Sequence, residues 1–196
     1  MNALEDERQL TLEACQGSVP AFEALVTYYE PRIRRLLYSM TQDVQLTQDL
    51  CQETFLAAYR ALPRMKGEEL RFAPWLYRIA LNQARSEWRR RKHVTLIPFI
   101  SPRGDDEDNF DHSGEEYLVS EDNFEERVMQ QDVVRHILSQ LPGASATCLL
   151  LDAEGLSYRE IADSLGESLP AIRSRLTRAR RAFQQAYTRL EREGKL

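Results

Sequence analysis

The sequence predicts an all-α protein: two small helical domains joined by a flexible acidic linker, the C-terminal one a helix-turn-helix. Three observations carry that expectation. Apolar residues recur at helical spacing through most of the 196 residues, while strand-like alternation is nearly absent. Between 93 and about 121 this pattern fails, and the stretch from Ser101 to Glu116 holds too little apolar content to fold by itself. Finally, Gly155–Gly166 followed by Arg173–Arg181 reads as a short helix, a tight turn and a helix crowded with arginine.

Taken in order, helices are expected near 5–15, 20–39, 43–62 and 72–92, then 122–141, 144–153, 157–165 and 169–192. Pro63, Gly67 and Pro74 place a loop around 63–71. Val94–Ile100 is short, apolar and interrupted by Pro98. The expected domains are therefore 1–93 and 127–196, with 94–126 as the linker. No repeat at a solenoid period is present.

In the third helix Leu46, Leu50, Phe55 and Ala58 face a core, and Asp49, Gln52, Glu53 and Arg60 fall largely opposite. A polar helix face is usually only solvated. In the fourth, Trp75, Leu76, Ile79 and Gln83 give the inward side. Its basic end, Trp88-Arg-Arg-Arg-Lys92, places Arg85, Arg89 and Lys92 on one broad face. Aromatics beside a basic helix suit stacking on bases while neutralising phosphate. The competing reading makes Trp75, Tyr77 and Trp88 core fillers and the arginines a C-terminal dipole effect. Trp75 fits the core role better, whereas four consecutive cations at 89–92 favour phosphate contact.

The C-terminal pattern is the most detailed. Ser157 and Glu160 form a capping box, each satisfying an orphan N–H of the first turn. Ile161, Ala162 and Leu165 make an apolar stripe, and Gly166 lets the chain break sharply. Ser168 or Leu169 opens the next helix, with Pro170 in its first turn, where a missing N–H costs nothing. Ile172, Leu176, Ala179 and Phe183 share one face of that helix. Arg173, Ser174, Thr177, Arg178 and Arg181 share the other, as a helix reading the DNA major groove requires.

The net charge of −5 runs against nucleic-acid binding until it is divided along the chain. Residues 1–92 carry a net +2 and residues 127–196 a net +3, whereas 93–126 carry −10. The acidity sits in the linker, and the arginines of the flanking domains are clustered.

Cys15, Cys51 and Cys148 are odd in number and widely separated, as expected of reduced thiols in a cytoplasmic protein with no redox pair. His93, His112 and His136 share no metal-ligand spacing with them, so no metal and no other cofactor is expected. No apolar run approaches a membrane span, and the charged N-terminus lacks a signal-peptide core. No paired carboxylates, Cys–His pair or glycine-rich phosphate loop suggests an enzyme or a small-molecule substrate.

Five stretches now stand in a fixed order: Asp49-Leu-Cys-Gln-Glu-Thr-Phe-Leu56, Trp75-Leu-Tyr-Arg-Ile-Ala-Leu-Asn82, Leu141-Pro142, Gly155-Leu-Ser-Tyr-Arg-Glu-Ile-Ala162 and Ser174-Arg-Leu-Thr-Arg-Ala-Arg180. In order and spacing, with the acidic linker between, the chain resembles the extracytoplasmic-function (ECF, group four) sigma factors of bacterial RNA polymerase. The resemblance covers roughly 18–92 and 127–188. It implies an alternative sigma factor that binds core polymerase, recognises −35 and −10 promoter elements and promotes melting. Asp49, Gln52, Glu53 and Phe55 match the segment that docks on the β′ clamp helices, and the β flap is the other implied polymerase contact. The loop 63–71 with Asn82 matches the part that captures a flipped-out −10 base. Unstacking a base costs roughly a few kcal/mol, which a pocket reading its edge offsets. Arg85, Arg89, Arg90 and Lys92 would hold the backbone near the melting point. Arg173, Ser174, Thr177 and Arg178, with Arg181 beside them, match recognition-helix positions that meet the −35 element. Control by an anti-sigma factor that clamps the two domains is a further implied partner.

The chain departs from the family pattern in three places. The interval from Leu141-Pro142 to Gly155 is one residue short. Ala144-Ser-Ala-Thr147 stands where a charged turn is usual, and Pro170-Ala171 replaces Gly-Thr before the recognition helix. These bear on −35 preference and on the approach angle of that helix. The linker, with 11 carboxylates and no cation from Asp105 to Glu126, reads either as a solvating tether or as a mimic of RNA phosphates in the polymerase cleft. The alternative function is a ligand-responsive helix-turn-helix regulator that acts without polymerase.

Overall fold

Four of the helices begin where a side chain takes up a first-turn N–H. In the computed structural model, which describes residues 3–67, 70–90 and 133–193, helix α1 spans Ala3–Cys15, α2 Val19–Thr41, α3 Val44–Ala61 and α4 Phe72–Arg90. A helical stretch over 133–139 (α5) precedes α6 (Gly143–Ala153), α7 (Tyr158–Leu165) and α8 (Leu169–Arg192). Ser18 caps α2 by accepting from the Ala21 N–H at 3.4 Å, and Asp43 caps α3 by accepting from Leu46 at 2.9 Å. Between them Gln42 closes α2 in the left-handed region at φ 54°, its N–H returning to the Tyr38 carbonyl. The linker 94–126 and Lys92 lie outside the described residues.

The N-terminal unit packs α2, α3 and α4 around Leu25, Tyr29, Ile33, Leu37, Leu76 and Tyr77, all at most 2 % exposed. Tyr29 leans on Phe72 with ring centroids 5.4 Å apart, and its hydroxyl donates to the Glu7 carboxylate at 2.7 Å, tying α1 to the core. Burial and the Glu7 hydrogen bond hold that phenol far above its ordinary pKa. A 3₁₀ turn, Leu62–Arg64, leads into the loop before α4. There Gly67 lies against α1 so closely that a Cβ would sit 3.1 Å from Leu12 Cδ2 and 3.3 Å from Cys15 Sγ.

The inward side of α4 differs from the expected one. Phe72, Leu76, Tyr77, Ala80, Leu81 and Ala84 are buried, while Trp75, Ile79 and Gln83 are only partly so. The cause is that α4 packs against α2 and α3 and also against α7, so its buried arc is wider than one stripe. Tyr77 is fully buried and cannot stack on a base.

In the C-terminal unit Ile137 of α5, Ala146 and Leu151 of α6, Ile161 of α7 and Ile172 and Leu176 of α8 form the core. The two units touch directly. α4 lies along α7 and α2 meets α6, so buried apolar residues of both make one continuous cluster.

Candidate nucleic-acid interface

The helix-turn-helix takes the form its caps dictate. Ser157 Oγ accepts from the Glu160 N–H while the Glu160 carboxylate accepts from the Ser157 N–H at 2.8 Å. Gly166 terminates α7 at φ 68°, where a Cβ would be strained. Ser168 caps α8, and Pro170 sits in its first turn without breaking it. Ile172, Leu176 and Ala179 are buried and Phe183 packs beside them, as expected. Arg173, Ser174, Thr177, Arg178 and Arg181 are exposed. Thr177 and Arg178 bond only to carbonyls of their own helix, at 2.9 and 3.3 Å. Among the described residues no carboxylate pairs with Arg173, Arg178 or Arg181.

Two other arginines of α8, Arg175 and Arg180, are structural. Arg175 reaches Glu167 at 2.6 Å, which raises its pKa and braces the turn. Arg180 takes both oxygens of Asp152 at 2.6 and 2.7 Å and the Tyr158 hydroxyl at 2.9 Å, tying α8 to α6 and α7.

Along α4, Asn82 and Arg89 are exposed, and Arg89 donates to Ser86 at 3.2 Å. Arg90 pairs with the buried Glu87 at 2.8 Å, yet its own side chain stays in solvent. Arg85 is half-buried, and burial lowers its pKa, with Arg89 adding to the shift and Glu167 opposing it. Sequence reasoning missed Arg71 and Arg78. Both bond to α7: Arg71 to the Asp163 carboxylate and Arg78 to the Asp163 carbonyl. The spacing of Arg71, Arg78 and Arg85 by seven was the available signal.

A third surface is a groove of about 750 Å³ between α2 and α3. Gln52 and Phe55 line it, with Phe55 buried at its floor; Asp49 and Glu53 are exposed on the same helix. Leu56 and Tyr59, 43 % and 46 % exposed, stand at its rim and were not singled out from sequence. Tyr59 packs on Phe22, ring centroids 5.1 Å apart.

A helix-turn-helix whose second helix shows an exposed basic face, with no carboxylate partner for Arg173, Arg178 or Arg181 among the described residues, is the form of a DNA-binding protein of the helix-turn-helix class. Comparison with known proteins narrows this. Residues 25–94 match the model of Sigma-70 region 2, and 131–183 match that of Sigma-70, region 4. The RNA polymerase sigma-H factor of Pseudomonas aeruginosa is 34 % identical, over 96 % of this chain and 97 % of its own length. The ECF RNA polymerase sigma-E factor of Escherichia coli is 32 % identical, covering 89 % of this chain and 91 % of its own. Two solved structures share the fold. CnrH in complex with the cytosolic domain of CnrY has a TM-score of 0.70 at 24 % identity, over 93 % of this chain and 97 % of that one. The sigma factor RpoE with the anti-sigma factor NepR from Bartonella quintana has 0.62 at 22 %, over 87 % and 98 %. The chain belongs to the sigma-70 family, within it to the ECF sigma factors, and is thus a transcription-initiation factor. Among the described residues no helix is long and apolar enough to cross a membrane.

Proposed function

We propose that this sigma factor binds core RNA polymerase through the α3 face bearing Asp49, Gln52, Glu53 and Phe55, extended by Leu56 and Tyr59 at the groove rim. The β′ clamp helices are the partner there, and the C-terminal unit meets the β flap. Arg173, Ser174, Thr177, Arg178 and Arg181 read the −35 element. Asn82, Arg85, Arg89, Arg90 and Lys92 serve the −10 element and strand opening. It acts in the cytoplasm, has no chemistry of its own, and is held in check by an anti-sigma factor. The observation that supports this best is the partition of α8, whose basic side is free of carboxylates while its apolar side is buried.

Transcription with core enzyme on a randomised promoter library tests the reading, alongside gel shifts with and without core. Sequence-specific binding only as holoenzyme is the expected result. Specific binding without core would make the chain a stand-alone regulator. Within that assay Arg178→Ala should cost about 1–3 kcal/mol at one −35 base pair if the contact is a bidentate one. A uniform loss on all sequences would instead mark a phosphate contact.

A further inference from the structure

Arg71, Arg78 and Arg85 are seven residues apart, nearly two helical turns, so they lie along one stripe of α4 and its leading residue. Glu160, Asp163 and Glu167 follow the three- and four-residue spacing that puts side chains on one face of α7 and the turn after it. These two stripes meet. Arg71 bonds the Asp163 carboxylate, and its Nη2 lies 4.0 Å from Glu160 Oε1. Arg78 donates to the Asp163 carbonyl, in the last turn of α7, where backbone acceptors lack helical partners. Arg85 is half-buried within reach of the Glu167 charge. Between them the buried Ser164 Oγ donates to the Pro74 carbonyl at 3.2 Å. On the far side Arg35 takes both Glu154 oxygens at 3.0 and 2.9 Å.

We propose that α7 is a built-in stand-in for nucleic acid. Its carboxylates and last-turn carbonyl occupy the cations of α4 that would otherwise meet the phosphates of the opened promoter strand. The chain alone thereby covers the Arg71–Arg78–Arg85 edge of its −10 surface, with Asn82 and Arg89 still exposed, and leaves its −35 surface open. This rests on the sigma-factor reading above. The chemistry is matched, because a guanidinium fork bonds carboxylate and phosphate alike. The ladder is also weak by design of its exposure: Arg71 and Asp163 are each about half solvent-exposed, so their attraction is screened by salt. A latch of this kind yields to a polyanion but holds against water. The asymmetry sets it apart from simple burial, since Arg173, Arg178 and Arg181 of α8 remain exposed in the closed form.

The test uses the full chain without polymerase, spin-labelled at Tyr59→Cys and Gln184→Cys with Cys15→Ser; Cys51 and Cys148 are buried. Binding is read on a short random-sequence single-stranded DNA. Two variants open the latch by different means, Asp163→Arg by charge and Ser164→Gln as a neutral wedge, with helical content checked by circular dichroism. Both should lengthen the label distance, as should sodium chloride. Both should tighten single-strand binding roughly tenfold, the gain expected when a state closed about nine times in ten is released. Arg71→Asp added to Asp163→Arg should restore the short distance. An unchanged distance in Asp163→Arg, or opening with no gain in single-strand affinity, overturns the proposal. If wild-type holoenzyme initiates no transcription, the sigma-factor reading falls, and the label distances still decide closure independently.

Discussion

The recognition face of α8 and the Arg71–Arg78–Arg85 stripe along α4 carry similar residues in opposite states. On α8, Arg173, Arg178 and Arg181 face solvent with no carboxylate partner among the described residues. Alongside α4, Arg71 and Arg78 are bonded to α7, and Arg85 is half-buried. Composition does not distinguish the two. What differs is the neighbour: α8 turns its far side to its own unit, whereas α4 is wedged between two units and shares its cationic stripe with one of them. A count of arginines therefore overstates how much surface is ready to meet DNA.

The largest way to break the contrast is to remove the backing of the recognition helix. Leu176 is 1 % exposed, so Leu176→Ala should cost about 2–5 kcal/mol in denaturant unfolding of the C-terminal unit. Duplex binding through α8 should vanish. Single-strand binding through α4 should rise, because α7 loses its support. Parallel losses on both surfaces would mean that α7 does not cover α4.

A reference point away from both surfaces is Cys51, beneath the α2–α3 groove. Burial pushes its thiol up to about 11 from 9.0. Since the folded-state value is the higher one, this contribution to stability is fully present below pH 9 and is lost as pH rises through about 11. The expected loss is about 1–2 kcal/mol after allowing for solvent screening, read as a falling denaturant midpoint. It should affect both surfaces equally, and Cys51→Ala should flatten the slope.

The smallest and most selective change is Ser157→Ala. It removes the cap of α7 at a cost of about 1 kcal/mol. Because Glu160 then loses one anchor beside Arg71, hydrogen exchange should quicken in the first turn of α7 before α8 responds. Faster exchange confined to α8 would count against the coupling.

Local structure follows from local sequence signals. The caps at Ser157 and Ser168, the break at Gly166 and the two faces of α8 are set by residues within a few positions of one another, and over the described residues the helices fall close to where expected; the first part of the helix expected at 122–141 lies outside them. Tyr77 and the covered face of α4 were not legible. Their environment is built by partners far along the chain, such as Asp163, 92 residues from Arg71. Helical periodicity averages over one turn and assumes one buried side, so a helix with two packing partners defeats it. Leu56 and Tyr59 escaped for a related reason, since a groove rim needs two helices to define it.

Gly67 has a mechanical consequence. The loop proposed to hold a flipped base passes α1 with no room for a methyl group beside Leu12 and Cys15. Helix α1 itself precedes the stretch matched by the region 2 model, which begins at residue 25. The loop proposed for that role thus leans on a buttress outside the recognised module. A larger side chain at 67 would push the loop and α1 apart by a few tenths of an ångström, a displacement delivered straight to the place where geometry matters most for holding a base.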